Sequence, residues 1–332
     1  MIEREKSLQV GAIITSAGPQ ESEVYAPRDT RRREGLFAGK IDNDLSILGN
    51  NLFEIIALRL SEAGVNHPTV ILDDLTTSTF LRDGSAPQSR ACSEWEQSVS
   101  QAVQQGLEAL LLIGANCYTD LDYSELLRFH AERGAEITQA YANDGALDIA
   151  VINVGKLSKN QHPPALGLVG KRERFVYGGY VNRLHGPTDF MQLVEDALYK
   201  RCALRPLGTE VATRTWIGDR AEIDDSCVIG SPVFIGANTR VAACCNISGG
   251  SAIESASHVD SGTTVERSWI LSDTYVGVGL NVIRSIVSKR NLFHIDRRTE
   301  VTITDRRLIG SARSLPLFRT GDGLLSRLQS SS

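Results

Sequence analysis

Apolar positions change rhythm near the middle of this chain. In the first half they form short runs and helical stripes. Val10–Thr15 is an apolar run ending at Ser16-Ala17-Gly18, which predicts a buried strand. In residues 52–63, Leu52, Ile55, Ile56, Leu60 and Ala63 share one helical face, and Gly64 supplies the stop. Residues 69–72 predict a second strand. Ser93-x-x-Glu96 is a capping box opening a helix that carries Trp95, Val99 and Val103 and closes at Gly106. Residues 110–113 predict a further strand. Asp122-x-x-Glu125 then opens a helix through Leu126, Leu127 and His130, closed by Gly134. This alternation predicts a doubly wound α/β domain, whose ligands sit at the carboxyl ends of strands. From Ile217 the rhythm becomes strictly six. Ile217, Ile223, Ile229, Ile235, Val241, Ile247, Ile253, Val259, Val265 and Leu271 are all apolar. Four residues after each comes a mostly small residue: Ala221, Cys227, Val233, Thr239, Cys245, Ser251, Ser257 and Thr263. Neither a helical nor a two-residue strand period accounts for this.

The six-residue period resembles the hexapeptide repeat of the left-handed parallel β-helix. In that fold three hexapeptides make one coil, the aliphatic residue fills the interior, and the small residue fits the corner. The phase slips by one residue through Ile270, Val276 and Val282, which extends the stack. A strand-like run at 300–304 and a polar end at 328–332 predict a cap on the last coil, since an uncovered end is an aggregation edge.

Four segments in order resemble the sugar-nucleotide pyrophosphorylase (nucleotidyltransferase) family, whose members often join such a domain to a left-handed β-helix. Ile13-Ile14-Thr15-Ser16-Ala17-Gly18 resembles its opening strand and glycine-rich loop. Leu48-Gly49-Asn50-Asn51-Leu52-Phe53-Glu54, with Ala63-Gly64-Val65, resembles G-K-P-L-L-E…L-x-x-A-G-I. Leu112-Ile113-Gly114-Ala115-Asn116-Cys117-Tyr118-Thr119-Asp120-Leu121-Asp122 resembles N-G-D-x-x-T-D-L-D. Gly179-Tyr180-Val181-Asn182-Arg183-Leu184-His185-Gly186-Pro187-Thr188-Asp189-Phe190 resembles G-Y-W-x-D-I-G-T-P-x-D-Y, and the helix at 191–198 matches the link into the β-helix. The resemblance implies a Rossmann-like, GT-A-like nucleotidyltransferase domain at 1–205, a β-helix at 206–290 and a capping segment with its tail at 291–332.

It also implies chemistry that these residues do not carry. The family joins a nucleoside triphosphate to a sugar 1-phosphate and releases pyrophosphate, using Mg²⁺ held by carboxylates. Where the family has G-x-G-T-R, this chain has Gly18-Pro19-Gln20-Glu21-Ser22. Asn116 stands at one metal-binding carboxylate and Arg183 at the other, and an arginine repels Mg²⁺. Asp120 and Asp122 are the fallback ligands, though in the family they belong to the following turn and helix cap. About fifty residues separate His130 from Gly179, shorter than the family's sugar-binding half.

Length and composition set the remaining bounds. At 332 residues the chain allows about two domains. A net charge of −5 gives no electrostatic reason to expect a nucleic-acid partner. The charged start does not read as a signal peptide, no run is long enough for a membrane span, and the six cysteines form no C-x-x-C pair. A cytoplasmic protein with reduced thiols is expected. Arg28, Arg31, Arg32 and Arg33 are either a rewired anion site or a solvated basic loop. Asp73-Asp74 closes a strand and reads as a loop pair. His185 lies in the degraded motif, as a cleft or a structural residue. His258, within the repeat, is either a coil-surface histidine or the general base of a hexapeptide acyltransferase. The sequence thus favours a non-catalytic relative that binds a nucleotide or nucleotide sugar through Gly18, Arg28, Arg31, Asn116, Arg183 and His185. It would form a homo-oligomer or serve an active paralogue, with no cofactor. The alternatives are an active pyrophosphorylase with a rebuilt Mg²⁺ site and the acyltransferase.

Overall fold

A computed structural model describes residues 9–15, 45–66, 68–71, 97–98, 100–115, 117–156 and 171–314. The capping box at Ser93, the arginines at 28–33, Gly18, Asp73, Asp74 and Asn116 lie outside the described residues.

The N-terminal region is α/β. Its central sheet comprises β1 (Val10–Thr15), β2 (Thr69–Ile71), β3 (Ala109–Gly114), β4 (Ile137–Ala142), β5 (Gly145–Asn153) and β6 (Arg172–Val176), in the order β2-β1-β3-β5-β4-β6. Three helices pack on one face: α1 (Leu52–Glu62), α2 (Tyr123–Arg133) and α3 (Pro187–Leu198). Alternation along the strands sends Ala12, Ile14, Leu111 and Ile113 to that face. Ile13, Leu110 and Leu112 go to the other, against Ala102 and Val103. The helix ends obey the sequence signals. Asn51 caps α1 by accepting from the Phe53 amide, Asp122 caps α2 by accepting from the Ser124 amide, and Gly134 closes α2 in the left-handed conformation.

One feature of the sheet departs from the parallel pattern expected. β5 runs antiparallel to both β3 and β4. The cause is local: only Asn143 and Asp144 separate β4 from β5, and so short a connection joins antiparallel strands alone.

The C-terminal region is built of parallel sheets visited in turn. The first contains Thr215–Ile217, Val233–Ile235, Ser251–Ile253, Trp269–Ile270 and Ser285–Ser288. The second contains Glu222–Ile223, Arg240–Val241, His258–Val259 and Thr274–Val276. The third contains Val228–Gly230, Asn246–Ser248, Thr264–Glu266 and Asn281–Ile283. Ile217 pairs with Ile235 and Ile223 with Val241, three hexapeptides on. Later the step is one residue shorter, pairing Ile253 with Ile270 and Val259 with Val276, in line with the phase slip. This arrangement fits a β-helix. Its interior holds Ile235, Val241, Ile247, Ile253, Val259, Val265, Ile270, Val276 and Val282. At the chain's end, Asn291–His294 and Thr299–Thr302 extend the first sheet antiparallel, and Ile309–Ser311 closes the second against Thr274–Val276.

The small residues at the corners are also donors. The Thr239 hydroxyl donates to the Glu254 carbonyl, Ser257 to Leu271, Ser251 to Val265 and Thr263 to Gly277. The Cys227 and Cys245 thiols do the same toward the Ala242 and Asp260 carbonyls, at 3.0 and 3.1 Å. Each bond ties one coil to the next. Gly218 and Gly236 sit where a Cβ would lie 2.4 and 2.6 Å from a backbone nitrogen of the adjacent coil, so only glycine fits.

The two regions share a core. The first sheet turns Trp216, Phe234, Ala252, Trp269 and Ile286 outward into the hydrophobic cluster of the α/β region, where Phe190 of α3 stacks on Trp269 at 6.3 Å. At the centre of this junction is Glu254, fully buried. One carboxylate oxygen accepts from the Leu48 amide (2.6 Å) and Trp269 Nε1 (2.9 Å). The other accepts from the Gly49 amide (2.9 Å) and the Ser46 hydroxyl (3.0 Å). The amides project from the tight hairpin of Ser46–Ile47 and Asn50–Asn51, whose turn residues Leu48 and Gly49 both have positive φ. Burial pushes the Glu254 carboxyl up to about 7, against the four donors.

Two outcomes are expected in unfolding experiments. Glu254→Ala leaves buried donors unmet and should cost about 3–5 kcal/mol in urea unfolding. Because the folded chain keeps the Glu254 proton where the unfolded chain has released it, this group's contribution is full below about pH 4.3 and falls as pH rises through 7. The loss should amount to about 3 kcal/mol relative to Glu254→Gln, which lacks the titration.

Candidate functional site

The sheet reverses direction of growth at β1: β2 lies on one side and β3 on the other, both parallel to it. The carboxyl ends of β1 and β3 stand side by side, Thr15 opposite Gly114, with the Ala115 amide donating to the Thr15 carbonyl at 2.8 Å. This is the crevice where open α/β sheets bind ligands. Of the expected ligand-binding residues, Gly18, Arg28, Arg31 and Asn116 fall outside the described residues, which leaves Arg183, His185 and the chain leaving β3 to define the site.

Tyr118–Thr119 pairs antiparallel with Val181–Asn182. That pairing carries Arg183 toward Cys117. Cys117 is buried, and burial pushes its thiol up to about 12; the Arg183 charge opposes this, while Asp148 and Asp144 reinforce it. Arg183 is engaged on every nitrogen. Nε donates to Asp144 Oδ2 at 3.1 Å and Nη2 to Oδ1 at 2.7 Å, a two-pronged pair. Nη1 donates to the Ala146 carbonyl at 2.5 Å, and Nη2 also reaches that of Gly145. Arg183 therefore clamps the β4–β5 turn, and its hydrogen bonds hold the Asp144 carboxyl below its ordinary range. The clamp is invisible to motif reading because Asp144 lies far from Arg183 in sequence. Its only signal is the turn-like run Asn143-Asp144-Gly145.

His185 is exposed at the start of α3. Its amide donates to Asp189 Oδ2 at 2.9 Å, and the Asn182 side chain donates to the Asp189 carbonyl and accepts from the Leu184 amide. Asp189, in the first turn of α3, thus ties down the loop before the helix.

Asp120 and Asp122, the fallback metal ligands, have other partners. Asp120 Oδ1 accepts from Arg59 Nη2 (3.1 Å) and the Tyr118 hydroxyl (3.0 Å), and Oδ2 from the Ala203 amide (2.8 Å). Arg59 also donates to the Thr119 carbonyl and covers the Tyr118 ring. The hub joins α1, the end of β3 and the stretch leading into the coil. Asp122 caps α2. Among the described residues no three His, Cys, Asp or Glu side chains are grouped to hold a metal ion. With Arg183 in the cleft and Asp120 saturated by donors, the described residues do not fit Mg²⁺.

His258 lies on the outward column of the second sheet, between Arg240 and Tyr275. Its ring is 5.6 Å from that of Tyr275, whose hydroxyl donates to Asp260 Oδ2 at 2.9 Å. Burial lowers its pKa, with Asp260 opposing the shift and Arg240 adding to it. No described helix is long and apolar enough to cross a membrane. No family model matches the chain, and no curated protein matches it.

The Arg183–Asp144 pair is largely solvated on the aspartate side. Arg183→Met should therefore lower stability by less than about 1 kcal/mol. It should also return the Asp144 carboxyl to the ordinary range, as read by carboxyl NMR titration.

Proposed function

We propose that this chain is a non-catalytic relative of the sugar-nucleotide pyrophosphorylases: a Rossmann-like, GT-A-like nucleotidyltransferase domain followed by a left-handed β-helix. It binds a nucleotide or nucleotide sugar at the carboxyl ends of β1 and β3 without turning it over, and acts as a homo-oligomer or beside an active paralogue in the cytoplasm. The observation that carries this reading is Arg183. At a position where the resemblance implies a metal carboxylate, the chain has a cation bound in two prongs to Asp144 and to the carbonyls of the β4–β5 turn. The engagement of Asp120 with Arg59, Tyr118 and Ala203 supports it further, since that carboxylate is part of the scaffold.

Calorimetric titration with a panel of nucleotides and nucleotide sugars, with and without Mg²⁺, tests the reading. Binding that is indifferent to Mg²⁺ and weakened in Arg183→Ala is the expected result. Binding that requires Mg²⁺ would mean a rebuilt metal site, and pyrophosphate release from a nucleoside triphosphate and a sugar 1-phosphate would establish an active enzyme instead.

A further inference from the structure

Cys227 and Cys245 occupy equivalent corners of the first two coils. Each directly precedes a strand of the third sheet, and those strands pair in register, Val228 with Asn246. The Val228 amide donates to the Cys245 carbonyl at 2.8 Å, which locks the corners level. Burial pushes the Cys245 thiol up, and the neighbouring Cys227 side chain adds to that upward shift. Neighbouring parallel strands lie about 4.8 Å apart, inside the roughly 4.4–6.8 Å Cα separation that a disulfide spans. The backbone spacing therefore lies in the disulfide range, and closure turns the two thiols away from the Ala242 and Asp260 carbonyls and draws their Cβ atoms together.

The position gives the bond a purpose. The second and third sheets begin with Glu222–Ile223 and Val228–Gly230, and among the described strands nothing pairs with their outer edges. Ile223, Ile229 and Cys227 are only partly buried there, whereas Val241, Ile247 and Cys245 one coil in are fully enclosed. A coil with one neighbour is the first to fray. Cys227 is partly accessible, Cys245 is buried, and Cys244 points to solvent.

We propose that Cys227 and Cys245 form a reversible, redox-closed staple that pins the first coil of the stack to the second, with a low-molecular-weight disulfide of the glutathione class as oxidant. The Cys227 thiolate attacks one sulfur of the small disulfide and expels a small thiolate. The Cys245 thiol loses its proton to solvent, and its sulfur attacks Cys227 in the mixed disulfide, releasing the second small thiolate. Two protein thiols and one small disulfide become one protein disulfide and two small thiols.

The test exposes the folded full-length chain to oxidised glutathione and tracks intact mass. The expected species, read on Cys244→Ser so that the solvent-facing thiol adds no adduct, is lighter by about 2 Da across residues 221–267 with no glutathione retained there. Trypsin cleaves after Arg220, Arg240 and Arg267, so the bond must join fragment 221–240 to fragment 241–267. The link should persist in Cys244→Ser and vanish in Cys227→Ser and in Cys245→Ser, whose hydroxyls keep the donors to the next coil. The oxidised chain should show a higher thermal midpoint than the reduced one, and dithiothreitol should abolish the difference. A link lost in Cys244→Ser, a stable glutathione adduct on Cys227, or an unchanged mass would each overturn the proposal.

Discussion

A single carboxylate sets the relation between the two halves of this protein. Glu254 belongs to the coil, yet three of its four donors come from a tight turn in the α/β region, and the fourth is the indole of Trp269. A fully buried acid is tolerated only when its lone pairs are met. The turn, in exchange, depends on the acid, because the amides of buried Leu48 and half-buried Gly49 both point at its carboxylate. Everything around the junction agrees with this arrangement. The Asn50 side chain bridges the carbonyls of Leu48 and Arg205, the Leu207 amide donates to Leu48, and the Phe190 and Trp269 rings stack alongside. One face of the coil is thus a wall of the α/β core.

Charged side chains in the crevice obey the same logic of internal pairing. Arg183 secures the β4–β5 turn, Asp120 gathers Arg59, Tyr118 and the Ala203 amide, and Asp189 fixes the loop before α3. Each of these side chains is tied to neighbouring segments by contact. Such ties are individually modest where solvated, but the Asp120 hub, largely buried and shared by three segments, is a different case, because its members also bond one another.

The coil was readable because its constraint is repetitive. An interior aliphatic recurs at every hexapeptide, and glycine comes next at Ile217-Gly218 and Ile235-Gly236 because the next backbone is too close for a Cβ. The same pattern carries a clue that only contacts explain. In the next coil the glycine position is Glu254, and that departure marks where the α/β region docks. The helix boundaries at Asp122 and Gly134 were legible because capping is local. The antiparallel β5 was not, since its cause is a two-residue connection hidden in a polar run. Nor was the Arg183 clamp, whose partner lies in another hairpin, or the Arg59–Asp120 hub, which spans sixty-one positions.

The distance along the chain between the Leu48 amide and Glu254, 206 residues, also has a meaning in time. A ribosome delivers the turn long before it delivers the acid. The α/β region emerges first and can assemble its sheet, but its hairpin holds two amides bonded to water until the third coil has been made. The last steps of folding are therefore ordered by synthesis: the coil stacks, the carboxylate arrives, and only then does the first-made part of the molecule reach its final form.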